Sequence, residues 1–226
     1  RYLESRGIPA EIAHRYEITT QTDHDNVLVF PFYDDQGNLQ FVKYRKTDYD
    51  REKDKNKEWC EKDCRPILFG MKQCSEDHDR LVITEGQLDS LSVAAAGVEN
   101  AVSVPNGAKG MTWVPYCYDW VSSFSEIVVF GDCEKGHITL LEDVQRRFSG
   151  RIKHVREDDY QGCKDANELL QKHGSGAVRR EVENAVLLPV QRVLSLEDWA
   201  AVTLHQLATT KTRCSGLGRM AYGRQQ

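Results

Sequence analysis

Nowhere in the 226 residues does an apolar run approach the roughly 18–20 that a membrane-crossing helix needs, and the amino terminus carries no secretory leader pattern. No membrane partner is expected. An excess of positive charge is also missing: 30 Lys+Arg stand against 35 Asp+Glu, a formal charge of -5. That argues against nucleic acid, whose binders usually carry a basic patch. A whole-chain sum can hide local asymmetry, however. After Asp198 come Lys211, Arg213, Arg219 and Arg224 with no acid, +4 in all, which leaves -9 for the rest. The seven cysteines, Cys60, Cys64, Cys74, Cys117, Cys133, Cys163 and Cys214, are odd in number and scattered. Without a leader they read as reduced thiols in a cytoplasm. Cys60 and Cys64 have only Cys74 and His78 nearby to complete a zinc site, so free thiols in a loop are the favoured reading. The seven histidines form no Cys/His nucleophile arrangement. The first residue is Arg1 rather than Met, which reads as a cut piece or a processed product.

What is present is ordinary for a globular chain, 40% hydrophobic and 29% charged, with length for one large domain or two small ones. Residues 1–18 read as short helical pieces, with Pro9 in a first turn. Residues 27–33 and 39–45 alternate like strands around the turn 34–38, a hairpin. Residues 46–65 read as a solvated loop; residues 43–62 hold eight Lys/Arg against six Asp/Glu, with Tyr44, Tyr49 and Trp59 among them. Such a mixture suits either a mobile loop or a template strand held by stacking and phosphate contact. From residue 81 the pattern changes. Short apolar strands at 81–84, 101–104, 126–130 and 152–155 alternate with helices at 87–96, 112–121, 137–148 and 165–173, which implies βαβ units around a parallel sheet. Residues 176–204 read as helical with Pro189 interrupting, and the stretch from 206 reads as a linker or frayed tail.

Acids fall at the ends of three of these strands. Glu85 follows the first; Asp132 and Glu134 follow the third across Gly131; Asp165 follows the fourth after a loop. Ligands bind outside the carboxyl ends of strands in open parallel sheets, so these carboxylates are expected in one crevice. Clustered carboxylates resist ionising together unless a cation compensates them. An all-oxygen set selects Mg²⁺ or Mn²⁺ over zinc. Mg²⁺ held by few carboxylates keeps positions for water and phosphate oxygens, as phosphoryl transfer requires. Position alone leaves open that these are ordinary solvated acids. Gly86 and Gly131 beside them allow a sharp turn or a close ligand approach. The loop from Asn106 to Gly110 offers backbone N–H groups and the Lys109 ammonium to a phosphate, or is a simple strand–helix turn.

Glu85-Gly-Gln-Leu-Asp89 resembles the Glu-Gly-x-x-Asp motif that opens a TOPRIM domain. Phe130-Gly-Asp-Cys-Glu134 resembles its Asp-x-Asp motif, and Lys164-Asp-Ala-Asn-Glu168 the third acidic motif of phage primase–helicases. Order and spacing agree over about residues 78–175. Residues 27–45 and Ile67-Leu-Phe-Gly70 resemble the small N-terminal half of the same RNA-polymerase domain. The chain is thus similar to the TOPRIM-type DNA primase core of phage and plasmid bifunctional primase–helicases, relatives of the mitochondrial replicative helicase. Neither a helicase Walker A loop nor a zinc-binding module stands in it.

The resemblance implies an α/β fold. Residues 78–175 would form a TOPRIM domain, a four-stranded, mainly parallel sheet flanked by helices. Residues 1–77 would form a smaller α+β subdomain with a β-hairpin, and residues 176–226 a helical linker and basic tail toward an absent helicase domain. It implies RNA primer synthesis on single-stranded DNA from ribonucleoside triphosphates with Mg²⁺ or Mn²⁺, beside a helicase in cis or trans. The setting would be the cytoplasm of a bacterial host, with a phage or plasmid gene. Glu85 would be a metal ligand or the general base for the attacking 3′-hydroxyl; Asp132 and Glu134 would hold the metal, with Asp165 near a further one. Asp89 would support the site by hydrogen bonding, with Gly86 and Gly131 shaping it. Lys43, Arg45, Asn106, Lys109 and Lys164 would meet nucleotide or DNA. Glu134 departs from the motif by one methylene, and Mg²⁺ tolerates little geometric error. Two alternatives remain: a metal-dependent TOPRIM nuclease, and a non-catalytic module that positions DNA for a helicase.

Overall fold

The structure, a computed structural model, describes residues 1–107, 110–148 and 151–188. Lys109, Cys214 and the basic tail lie outside the described residues. Two short helices, α1 (Tyr2–Ser5) and α2 (Ala10–Arg15), open the chain, and Pro9 stands in extended conformation just before α2.

Four strands then form an antiparallel sheet in sequence order: β1 (Thr19–Gln21), β2 (His24–Tyr33), β3 (Leu39–Lys46) and β4 (Glu58–Cys60). The expected hairpin is β2–β3. Its turn is set by Asp34, whose Oδ1 accepts from the backbone N–H groups of Gln36 and Asn38 (3.1 and 2.8 Å). Alternation buries Leu28, Phe30, Phe32 and Phe41 on one face. β4 corrects the solvated-loop reading of 46–65. It pairs Lys43 with Cys60, Tyr44 with Trp59 and Arg45 with Glu58. The Tyr44–Trp59 rings stack at 5.6 Å, and cross-strand pairs of this kind hold a strand that charge-rich composition would not suggest.

The second sheet has the order β6-β5-β7-β8-β9. β5 (Arg80–Thr84), β6 (Ala101–Ser103), β7 (Glu126–Phe130) and β8 (Arg151–His154) are mutually parallel, as expected. The intervening helices are α3 (Gln87–Ala95), α4 (Val114–Ser122) and α5 (Thr139–Arg147); α6 (Ala166–His173) and α7 (Ser175–Glu183) follow β8. Leu81, Val82, Ile83, Val128 and Val129 are fully buried, which is why these strands read as continuous apolar runs rather than alternating ones.

The fifth strand, β9 (Val186–Leu187), is antiparallel to β8 and falls where the pattern predicts helix. Ala185-Val-Leu-Leu188 precedes Pro189, which disfavours helix in the residue before it. Pairing there also covers the open edge of β8, with the Leu188 N–H donating to the Ile152 carbonyl (2.8 Å). α7 packs its Ala177, Val178 and Val182 into the core. Thus α7 and β9 belong to the compact unit Arg1–Leu188 and not to a linker beginning at 176.

The two sheets meet at Phe69. Its N–H and carbonyl exchange hydrogen bonds with Ser103 on the edge strand β6 (2.9 and 3.1 Å). Its ring lies 5.3–5.8 Å from Tyr16, Phe30 and Phe32. Gly70 makes the approach possible: at φ 95° a Cβ there would sit 2.8 Å from the Ala101 carbonyl oxygen. One continuous core results, and the 1–77 and 78–175 blocks pack as parts of one unit. Among the described residues no helix is long and apolar enough to cross a membrane.

Candidate active site

Three carboxylates gather at the carboxyl ends of the parallel strands. Asp132 stands two residues past β7, its turn held by the Tyr160 hydroxyl donating to the Gly131 carbonyl (2.8 Å). Asp165 is the N-cap of α6, where its Oδ1 accepts the Glu168 N–H (2.7 Å). Asp89 lies in the first turn of α3, 6% exposed, and its Oδ1 accepts the Asn167 N–H (2.9 Å). One oxygen of each lies within 4.8 Å of the others, the only such metal-competent group among the described residues. Gly86 is needed beside them, because a Cβ there would stand 2.6 Å from Asp89 Oδ2.

Crowding shows in the acidities. Burial pushes the Asp89 carboxyl well above its ordinary range and the nearby Asp165 charge pushes it further, against the pull of the Asn167 N–H. Burial also raises Asp132, opposed by its hydrogen bond from Lys164 and helped by Asp165 and Glu134. A cation already answers this charge. Lys164 Nζ lies 2.7 Å from Asp132 Oδ2 and 3.9 Å from Asp165 Oδ2, and the bond to Asp132 raises the Lys164 pKa.

Asp89 therefore belongs inside the cluster and not only behind it, while Glu134 is outside it. Glu134 is exposed and faces His137 across a tight bridge, with Lys135 and Gly136 at φ 53° and 78° between them. That primed turn aims the chain back on itself. Glu134 and Asn106 line an adjoining cavity of about 350 Å³ with Gly107, His137 and Thr139. Glu85 and Asp132 line both this cavity and the main cleft, and Glu85 Oε2 accepts the Asp132 N–H at 3.4 Å.

The main cleft, about 320 Å³, is also lined by the cations Arg6, Lys43, Arg45 and Lys57. The expected cations Lys43 and Arg45 are there, but Lys43 is engaged. Its Nζ reaches Glu58 Oε2 (2.7 Å), Gln87 Oε1 (3.0 Å) and the Pro105 carbonyl (3.0 Å), the three acceptors its three protons can serve. It ties the first sheet to the start of α3 and to the loop after β6. Arg45 NH1 pairs with Glu58 Oε1 (2.6 Å), while its buried Nε has no partner. Glu58, Gln87 and Arg6 are not found by sequence reasoning. The signal for Glu58 is its register opposite Arg45, hidden because the stretch around it has no strand pattern. Tyr44 and Trp59, by the same register, lie on the opposite face of the sheet from Lys43, Arg45 and Glu58, away from this cleft.

Burial pushes the Glu58 carboxyl up, but Lys43 and Arg45 outweigh it and hold it below the ordinary range. Its stabilisation is therefore full above the unfolded value of about 4.3 and is lost as pH falls through the lower folded value. Glu58→Gln is expected to cost about 2 kcal/mol at pH 7. The melting-temperature gap to wild type should close as pH drops below about 4; a gap constant from pH 7 to pH 3 contradicts the assignment.

The thiols take no part. Cys60, Cys64, Cys74, Cys117, Cys133 and Cys163 are all free, and Cys60, Cys64, Cys74 and His78 do not assemble into a metal-competent group.

No protein-family profile matches the chain. Over 217 residues it is 24% identical to the Twinkle homolog protein, chloroplastic/mitochondrial, of Arabidopsis thaliana, covering 88% of this chain and 30% of that protein. Over 209 residues it is 25% identical to the Primase homolog protein of the same plant, covering 84% of this chain and 60% of that one. It thus spans less than two thirds of either relative. In fold it is similar to the zinc-binding and RNA polymerase domains of the Aquifex aeolicus primase, with a TM-score of 0.67, 17% identity, and coverage of 83% of this chain and 55% of that one. The primase fragment of the bacteriophage T7 primase-helicase protein matches with a TM-score of 0.63, 22% identity, and coverage of 80% and 74%. The chain has the fold of primase catalytic cores.

Proposed function

We propose that the chain is the catalytic core of a DNA primase, a nucleotidyltransferase that joins ribonucleotides on a single-stranded DNA template. The observation that carries this reading is one cleft lined by the carboxylate cluster and by Arg6, Lys43, Arg45 and Lys57, built on a primase-core fold. The similarity to the T7 primase fragment supports a place beside a replicative helicase, in cis or in trans. Residues from 189 on are the proposed run toward it.

The acidic cluster fits a divalent metal ion. Its donors are all carboxylate oxygens, two of them are pushed toward protonation by burial and mutual repulsion, and an ammonium is already drawn to the point they share. Asp89, Asp132 and Asp165 would hold it, and hard oxygens favour Mg²⁺ or Mn²⁺. Bound there, it would supply Lewis-acid stabilisation of the charge on the transferring phosphate and on departing pyrophosphate.

The chain's own residues do the rest. Glu85, at the junction of the two cavities, takes the proton of the primer 3′-hydroxyl as general base. Arg45, Arg6 and Lys57, which line the cleft, receive triphosphate oxygens. Glu58, paired with both Lys43 and Arg45, fixes the Arg45 side chain. Asn106 and Glu134 line the adjoining cavity, where template or nucleotide base would lie. The free thiols fit a reducing compartment, the bacterial cytoplasm on the phage or plasmid reading; the Twinkle homologue's chloroplast and mitochondrion are the competing places.

The test is incubation with mixed-sequence single-stranded DNA, labelled ribonucleotides and Mg²⁺ or Mn²⁺. Template-dependent RNA is expected. Shortened DNA without RNA would establish the nuclease instead, and DNA retention with neither product the non-catalytic module.

A further inference from the structure

Lys164 sits where a metal would compete with it. Its Nζ is hydrogen-bonded to Asp132 Oδ2 (2.7 Å), and the nearest oxygen of Asp165 is Oδ2 (3.9 Å), the one not spent on capping α6. The backbone of Lys164 is fixed from two sides. Its N–H donates to Glu168 Oε2 (2.7 Å), and its carbonyl accepts the N–H of Cys133, the residue after Asp132 (2.8 Å). The side chain, by contrast, is 51% exposed. The anchor is rigid and the charged tip is free to leave into the cleft that Lys164 itself lines.

We propose that the Lys164 ammonium is the site's own stand-in cation: it neutralises Asp132 and Asp165 in the metal-free protein, is displaced from them by the divalent ion, and then binds the polyphosphate of the nucleotide. Lys164 is a nucleotide-binding residue in this scheme. Ammonium and metal draw on the same two carboxylates and repel each other there, so binding of one weakens binding of the other. Displacement frees the N–H spent on Asp132 and lets the ammonium's three donors turn to the cleft, where phosphate oxygens are the acceptors that a nucleoside triphosphate brings. Binding is thereby ordered, metal first and nucleotide second. The inference rests on the metal-site reading above.

Mn²⁺ alone is the probe, titrated by the loss of its free-ion paramagnetic resonance signal against wild type, Lys164→Met and Lys164→Arg, without substrate. Lys164→Met is expected to bind Mn²⁺ about fivefold more tightly than wild type, since the ion no longer breaks a charge-assisted bond. Lys164→Arg, which keeps the charge, is expected to stay within about twofold of wild type. Without metal, Lys164→Met should melt a few degrees lower, roughly the effect of 1 kcal/mol on a domain of this size, and Mn²⁺ should raise its melting temperature more than that of wild type. Equal or weaker Mn²⁺ binding by Lys164→Met overturns the stand-in role and leaves the metal site standing. If neither wild type nor variant takes up Mn²⁺, the metal reading and this inference fall together.

Discussion

Replacing Glu85 by glutamine is expected to slow ribonucleotide joining by roughly 10²–10⁴-fold, the contribution of a positioned general base. The carboxylate stands at the junction of the two cavities. It follows the buried strand β5 directly, its Oε2 accepts the Asp132 N–H, and its Oε1 lies 3.6 Å from where a Cβ on Gly107 would stand. It is therefore held between the loop after β6 and the loop after β7, at the seam of the two cavities. Glutamine has the same shape and keeps an oxygen to accept the Asp132 N–H, but it cannot take a proton. The melting temperature and affinity for single-stranded DNA should stay near wild type. A variant that keeps more than about a tenth of the wild-type rate would remove Glu85 from the base role.

Phe69→Ala is expected to cost about 3–5 kcal/mol, the usual range for emptying a large aromatic site in a core. In a unit of this size that is a fall of about 6–20 °C in melting temperature. Phe69 is 1% exposed, and its ring is the shared neighbour of Tyr16, Phe30 and Phe32 from the first sheet, while its backbone is bonded to β6 of the second. Because one core runs through both sheets, the variant should unfold in a single transition, followed by far-ultraviolet dichroism and by tryptophan fluorescence together. A loss below 1 kcal/mol, or a first sheet that melts separately, would show two independent subdomains instead.

Much of this architecture can be read from the residues. The parallel strands are short runs such as Leu81-Val-Ile-Thr84 and Ile127-Val-Val-Phe130, unbroken because both their faces are covered. The acids are legible because they stand at those strands' ends, where a ligand crevice forms. What escapes depends on pairing at a distance. β4 is three residues in a charged stretch, and only its register against β3 places Glu58 on Arg45 and Lys43. The same register turns Tyr44 and Trp59 to the far face, which no local pattern announces. Lys43 looks like a free phosphate ligand in isolation, yet Gln87 and Pro105, 44 and 62 residues away, spend its protons. Asp89 reads as a supporting residue one helical turn after Glu85, but α3 docks so that it joins Asp132 and Asp165. Glu134 keeps its motif position in the sequence and leaves the cluster because the Lys135–Gly136 turn bends the chain away.

Pyrophosphate release gives the most direct test that this cleft joins nucleotides. A short RNA annealed to a DNA template is supplied with the next complementary ribonucleoside triphosphate and Mg²⁺, so that chain extension is measured apart from initiation. One pyrophosphate is expected for each nucleotide added, with none when the template is left out or when Glu85→Gln replaces wild type. Release of nucleotides from the DNA without pyrophosphate, or pyrophosphate that is indifferent to template, would contradict the account.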